Sequence, residues 1–215
     1  EALPLIEIDE PTVKMSFSVN TSPFMGKEGT HSTSRTLGER LFRDLRTNVS
    51  LRVETTDSPD EFMVSGRGEL HLSILIETMR REWYDFQVSK PEPVTKIVDG
   101  NVFEPYEQLT IDTREEFIGI LTEDLAGRLA QLTNMSNDGM GNVRLEYSIP
   151  TRGLIGFRSA FLRETRGTGV TSSVFSEFRR MTREVKTTTN GVLVASEAGT
   201  AITFGLLNAQ GRGET

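Results

Sequence analysis

The sequence predicts an α+β protein in which one order of elements, β-α-β-β-α-β, is used twice in succession. Two kinds of run carry that expectation. In one, apolar and polar residues alternate, as a sheet with a single covered face requires. In the other, apolar residues return every three or four positions, as a helix lying on such a sheet requires. The 215 residues allow two domains of about 85 residues, each burying only about 60–65% of its unfolded surface, so each is expected to lean on a neighbour.

In TVKMSFSVN (12–20), Val13, Met15, Phe17 and Val19 alternate with Lys14, Ser16 and Ser18, giving the first strand. TSPFMGKEGTHST (21–33) has no periodicity and reads as an exposed loop. A helix follows, opened either by a capping box of Thr36 and Glu39 or a few residues earlier, with Leu37, Leu41, Leu45 and Val49 as its stripe. SLRVETT (50–56) and EFMVSG (61–66) are neighbouring strands about the DSPD turn. GELHLSILIETMRREW (68–83) is the most regular helix, with Leu72, Leu75, Ile76, Met79 and Trp83 on one face. YDFQVS (84–89) closes the unit, ended by the prolines of PEP (91–93).

The order then repeats. YEQLTIDT (106–113) is a strand, and EEFIGILTEDLAGRLAQL (115–132) a helix whose opening carboxylates suit its N-terminus. A short strand from Leu132 leads to the turn NDGMGN (137–142). NVRLEYSIP (142–150) alternates again, LIGFRSAFLRETR (154–166) supports a short helix, and VTSSVFSEF (170–178) is the last strand. These are two split βαβ units of the ferredoxin-like type, residues 1–91 and 92–178. Residues 179–215 break the pattern: GVLVASE (191–197) and GTAITFGLLN (199–208) read as two strands of an incomplete, β-rich third domain. Both ends cut into structured-looking sequence, so a piece of a longer protein is expected.

Composition excludes several functions. With no cysteine there is no disulfide scaffold, thiolate metal site or cysteine nucleophile, and His31 and His71 are too few for a histidine-rich metal site. No apolar run approaches a membrane span and no leader pattern occurs, so a soluble cytoplasmic protein, or the processed product of organellar import, is expected. Neither G-x-x-x-x-G-K-[ST] nor G-x-G-x-x-G is present, and MGKEG (25–29) lacks the spacing and hydroxyl of the former.

Two segments are written most sharply. In SGRGELHL (65–72), Ser65, Gly66, Arg67, Gly68, Glu69 and His71 mark a strand turning tightly into a helix. Glu69 and His71 stand two apart on that helix and do not face each other, so a structural, domain-interface role is expected over a nucleophilic one. In TRGLIGFR (151–158), Gly153 and Gly156 form the turn, and Arg152 and Arg158 bracket it, with Arg163 and Arg166 following. The net charge is −7, yet residues 144–186 hold nine basic side chains against four acidic ones. That local excess suits phosphate contact, which positions a protein without reading bases; the alternative is that Arg158 and Arg163 pair with Glu146 and Glu164. No paired aromatic platform of a single-strand RNA module is present.

NTSPFMGKEG (20–29), TSR (33–35), VSGRGELHLSILIETMRRE (64–82), IPTRGLIGFRSAF (149–161), NGVLVAS (190–196) and QGRG (210–213) resemble, in order, the region after the GTPase in the BipA/TypA translational GTPases, relatives of elongation factor G. The resemblance implies two ferredoxin-like domains equivalent to domains III and V of elongation factor G, followed by the opening of a family-specific C-terminal domain. It implies docking at the factor site of the ribosome, against ribosomal RNA and proteins and tRNA. GTP and magnesium would belong to the absent GTPase domain, so this chain is not itself an enzyme. The contact residues it suggests are Lys27, Arg35, Arg152, Arg158, Arg163, Arg166, Arg179, Arg180, Arg183 and Lys186. Trp83 stands where the family often ends its second helix with glycine, and GRLAQ (127–131) lacks the basic residue and glycine expected there. The rival expectation is a free-standing α+β RNA-binding or regulatory module.

Overall fold

Val13, Met15 and Phe17 point to one side of β1 (Val13–Val19) and are all buried, as their alternation requires. The computed structural model of the chain describes residues 10–23, 25–27, 29–182, 198–200 and 202–210. β1 pairs antiparallel with β3 (Glu61–Gly66) on one side and β4 (Phe86–Val88) on the other, and β2 (Arg52–Thr55) extends the sheet beyond β3. The resulting order, β2-β3-β1-β4, is that of a split βαβ unit. α1 (Ser34–Asp44) and α2 (Glu69–Arg81) cover one face of the sheet, bringing Leu37, Leu41, Leu72, Leu75 and Met79 against Phe17, Phe62 and Val64.

α1 begins before the Thr36–Glu39 box. Thr33 is its N-cap, its hydroxyl accepting the Thr36 N–H at 3.3 Å, while Glu39 pairs with Arg35 at 2.9 Å. The helix stops at Asp44, so Val49 falls off the expected stripe and is exposed. Trp83 departs in the same way. α2 ends at Arg81, and Trp83 lies beyond it with φ 66° and 65% of its surface exposed. Tyr84 N–H bonds to the Met79 carbonyl at 3.1 Å and Trp83 N–H to Arg80 at 3.0 Å, the paired bonds of a Schellman ending.

The second unit repeats the design around a longer strand. β7 (Asn101–Arg114) is flanked by β10 (Val170–Arg180) and β9 (Asn142–Pro150), with β8 (Gln131–Asn137) outside β9, in the order β10-β7-β9-β8. The helix expected over 115–132 is a 3₁₀ turn at Glu115–Phe117 followed by α3 (Ile118–Gly127). Leu129, expected on its stripe, sits past the end with φ 65°, and Ala130 N–H returns to the Leu125 carbonyl at 3.0 Å. The helix expected over 154–166 is broken in two, α4 (Thr151–Leu154) and α5 (Phe157–Glu164), by Gly156 at φ 72°. α5 ends like the others, with Arg166 at φ 52° and Gly167 N–H on the Leu162 carbonyl at 2.8 Å. Leu109, Ile111, Leu121, Leu125, Leu145, Ile149, Phe157 and Phe161 fill the second core.

PEP does more than end β4. β5 (Glu92–Pro93) pairs with the start of β1, and β6 (Lys96–Val98) pairs with β7, so the connection adds a short strand to each sheet. Pro93 is tolerated because β5 is short and peripheral. In the tail, GVLVASE lies outside the described residues. The second expected strand is corrected: Thr203–Gln210 is a helix, α6. TFGLLNAQ has no period-two alternation, and its Leu, Ala and Gln favour the helix.

Candidate nucleic-acid interface

The arginines grouped by sequence separate in space. Arg152, at the start of α4, is turned inward: its Nε and Nη2 donate to Glu104 Oε2 and Oε1 at 2.6 and 3.1 Å, with the two side chains 9% and 1% exposed. The β7–β9 register explains this. Tyr106 stands opposite Pro150, so Glu104, two residues before one, meets Arg152, two after the other. Arg152 is therefore a buried ion-pair residue and not a surface contact. Arg179, on β10, is similarly occupied: it pairs with Glu177 at 2.7 Å, donates to Ser148 Oγ at 3.1 Å and lies 4.7 Å above the Tyr106 ring.

Arg158, Arg163, Arg166 and Arg180 are exposed, and the ion pairs among the described residues include none of them. The alternative, in which Arg158 and Arg163 pair with acidic neighbours such as Glu146 and Glu164, finds no ion pair among the described residues. Arg163 stays within electrostatic reach of Glu164, whose carboxyl is pushed up first by burial and then by Asp124, with Arg163 opposing. Arg158 lies in the first turn of α5, Arg163 in its last, and Arg166 at the residue that ends it. Eight helical residues span about 12 Å, so these cations spread over a broad exposed strip around α5, long enough to meet more than one phosphate. Lys27 is exposed in the loop after β1, and Arg35 is exposed on α1 beside Glu39. Arg183 and Lys186 lie outside the described residues.

The two sharply written segments meet beside this strip. Ser65 and Gly66 end β3; a Cβ at Gly66 would stand 2.9 Å from His71 Nδ1 and 3.0 Å from Leu72 Cδ2, so a larger residue would have to push the His71 ring aside. Gly68 is the N-cap of α2 and Arg67 is exposed beside it. His71 turns back to the chain: its Nδ1 accepts the Arg67 N–H at 3.3 Å, and its Nε2 lies 2.7 Å from the Asn48 amide. Burial first, and the Arg67 charge second, hold its pKa below the ordinary histidine value. Glu69 turns the other way, its Oε2 accepting the Gly156 N–H at 3.0 Å. His71 and Glu69 thus serve separate hydrogen bonds and form no catalytic pair. His31 stacks on Tyr84 with ring centroids 4.8 Å apart.

Gly153 is fixed by a residue the sequence did not single out. A Cβ there would come within 2.5 Å of the Arg128 carbonyl oxygen. The Arg128 guanidinium binds Asp124 at 2.9 Å and the carbonyls of Gly153 and Ile155 at 3.0 and 3.2 Å, clamping the α4–α5 turn. The four-residue spacing of Asp124 and Arg128 was the only available signal. Between the two units runs an open cleft of about 470 Å³, lined by Arg67, Glu69, Leu70, Glu107, Ile155 and Arg158 among others. Glu107 is buried at its floor, accepting the Thr151 hydroxyl at 2.8 Å. Among the described residues no three His, Asp or Glu side chains are grouped to hold a metal, and no helix is long and apolar enough to cross a membrane.

Residues 101–189 match the family described as elongation factor G C-terminus. The chain is 52% identical over 215 residues to the large ribosomal subunit assembly factor BipA of Haemophilus influenzae, covering 100% of this chain and 35% of that protein. To the protein of the same description from Synechocystis sp. it is 50% identical over 213 residues, 99% of this chain and 36% of the other. The Escherichia coli protein of that description is 51% identical over 215 residues, 100% and 35%. The chain thus spans about a third of the length of these relatives. A crystal structure of a Thermus thermophilus protein shares the fold alone, with TM-score 0.52 at 14% identity over 83% of this chain and 42% of the other.

Proposed function

The chain is homologous to the BipA/TypA family of translational GTPases along essentially its whole length, and on that premise we propose that it is the ribosome-docking part of such a factor. Residues 1–91 and 92–178 would be the equivalents of domains III and V of elongation factor G, and 179–215 the opening of the family-specific C-terminal domain. GTP binding and hydrolysis, with magnesium, would reside in the remainder of the protein, because this sequence has no phosphate-binding loop of its own. The docked protein would act in the cytoplasm, in assembly of the large ribosomal subunit, as the name of its relatives states, and in stress-responsive translation.

The observation that carries this is about 50% identity to those factors over the full chain. The surface is compatible with it. A net charge of −7 disfavours indiscriminate coating of RNA, whereas the cations of α5 form a short, local strip suited to phosphates already held in a shaped particle. Arg158, Arg163, Arg166 and Arg180 are the residues assigned to ribosomal RNA or tRNA contact, with Lys27 and Arg35 on the other unit. Co-sedimentation with large-subunit particles and with protein-free ribosomal RNA, across a salt series, tests the reading. Preference for the particle, weakened when Arg158, Arg163 and Arg166 become alanine together, is expected. Equal binding to bare RNA would instead indicate a free-standing RNA-binding module.

A further inference from the structure

Helices α2 and α5 each begin without a side-chain cap of their own, since their N-cap residues are Gly68 and Gly156. Both therefore present unsatisfied N–H groups and the positive end of a dipole. One carboxylate serves the two. Glu69 lies in the first turn of α2, and its Oε2 receives the Gly156 N–H from the other unit at 3.0 Å. A helix of the second domain is thus capped by a side chain of the first, 87 residues earlier in the chain.

Two other contacts join the units near the connection, the packing of α4 against β5, itself paired with β1, and one ion pair. Lys96 and Glu10 form an ion pair at 2.5 Å beside the connection, with side chains nearly half exposed. The remaining space between them is the open cleft, not a filled apolar interface. Domains joined through a small, polar contact move relative to each other unless something specific holds them. The connection permits turning more than sliding, because Val94 N–H is still bonded to the Thr12 carbonyl at 2.9 Å and β6 begins at Lys96.

From this we propose that Glu69 is an interdomain latch: its carboxylate, by capping α5 across the cleft, fixes the angle between the two units, and its release lets the second unit turn about Thr95. Gly156 is the receiving half. Its φ of 72° is one that glycine holds without strain, in a turn whose N–H meets Glu69. The latch does not depend on whether the chain binds ribosomes.

The chain contains no cysteine, so the paired substitutions T47C and S136C, at exposed positions of the two units, carry spin labels without background. Pulsed EPR on the 215-residue chain is expected to give one narrow distance distribution. Adding E69A should broaden it severalfold, and E69Q, which keeps an oxygen acceptor but loses the charge, should give an intermediate width. An unchanged width in E69A overturns the proposal, as does a fall in melting temperature with no broadening. Should E69A fail to fold, amide exchange in E69Q decides. The Gly156 amide should exchange about tenfold or more faster while the β7 amides keep their rates. A Gly156 amide that is unprotected in the unaltered chain also overturns it.

Discussion

The carbonyl oxygen of Trp83 lies 2.5 Å from where a Cβ at Gly29 would stand, too close for any side chain there. That oxygen accepts the N–H groups of Thr30 and His31 at 2.9 and 3.1 Å, stitching the loop before α1 to the end of α2. The carbonyl can turn that way because Trp83 adopts φ 66°, a conformation that disfavours every residue with a Cβ.

Trp83→Gly should therefore stabilise the chain. The indole is mostly exposed and gives up little burial, while relief of the left-handed strain contributes about 1 kcal/mol. Thermal unfolding should show a rise of roughly 4–8 °C for the first unit. A fall would mean that the indole makes contacts worth more than the strain. Arg166→Gly should act in the same direction, whereas Leu129→Gly should gain less because Leu129 is half-buried.

Arg152→Ala should be among the most damaging single changes, since it leaves the Glu104 carboxylate buried without its partner. Loss of one member of such a pair costs about 3–5 kcal/mol, and urea denaturation should register it. Arg158→Ala, on the exposed strip, should stay within about 0.5 kcal/mol of the parent. If the two variants were equally stable, Arg152 would not be the structural arginine of the set.

Histidine titration should be visible in stability. His71 is held below its ordinary pKa in the folded chain by burial and by Arg67, so the unfolded chain takes up a proton first. The contribution of neutral His71 is complete above the unfolded value and is lost as pH falls from there through the folded value. Denaturation midpoints measured between about pH 7.5 and 5 should decline in the parent and flatten in His71→Gln. Parallel curves would remove His71 as the cause.

The β8–β9 turn should loosen when Asp138 is replaced. Its Oδ1 accepts Met140 N–H at 2.7 Å and Asn142 N–H at 3.1 Å, its Oδ2 accepts the Asn142 side chain at 2.7 Å, and these bonds hold its carboxyl below the usual range. In Asp138→Ala the amides of Met140 and Asn142 should exchange faster while those of β7 are unchanged. Unaltered rates would show the turn to be held without Asp138, by the Gly139 N–H on Asn137 Oδ1 and by its backbone bonds.

The strands and the buried stripes could be read from the sequence because period two and period 3.6 are local properties. Phe17, Leu41, Leu72, Met79 and Leu145 are buried where those periods placed them. Helix ends were less legible: Trp83 and Leu129 hold a conformation usually given to glycine, so no glycine marked the stop, whereas after Arg166 the GTG of 167–169 did. The candidate surface was legible only as composition. Whether an arginine faces water depends on what lies across the sheet, and Arg152 meets Glu104 through a register set between residues 44 apart. Sequence spacing could indicate that Glu69 belongs to an interface, but not that its partner is a backbone N–H of the next unit.

The connection between the units has a mechanical consequence. β5 is zipped to β1 through Pro93 and Glu92, β6 to β7, and only Val94 and Thr95 lie between, a span of about 7 Å at full extension. A pull on either half has almost no slack to take up. Tension would reach the ladder at Lys14 and Glu92 directly, so this two-residue strand is the first place the molecule would yield under load.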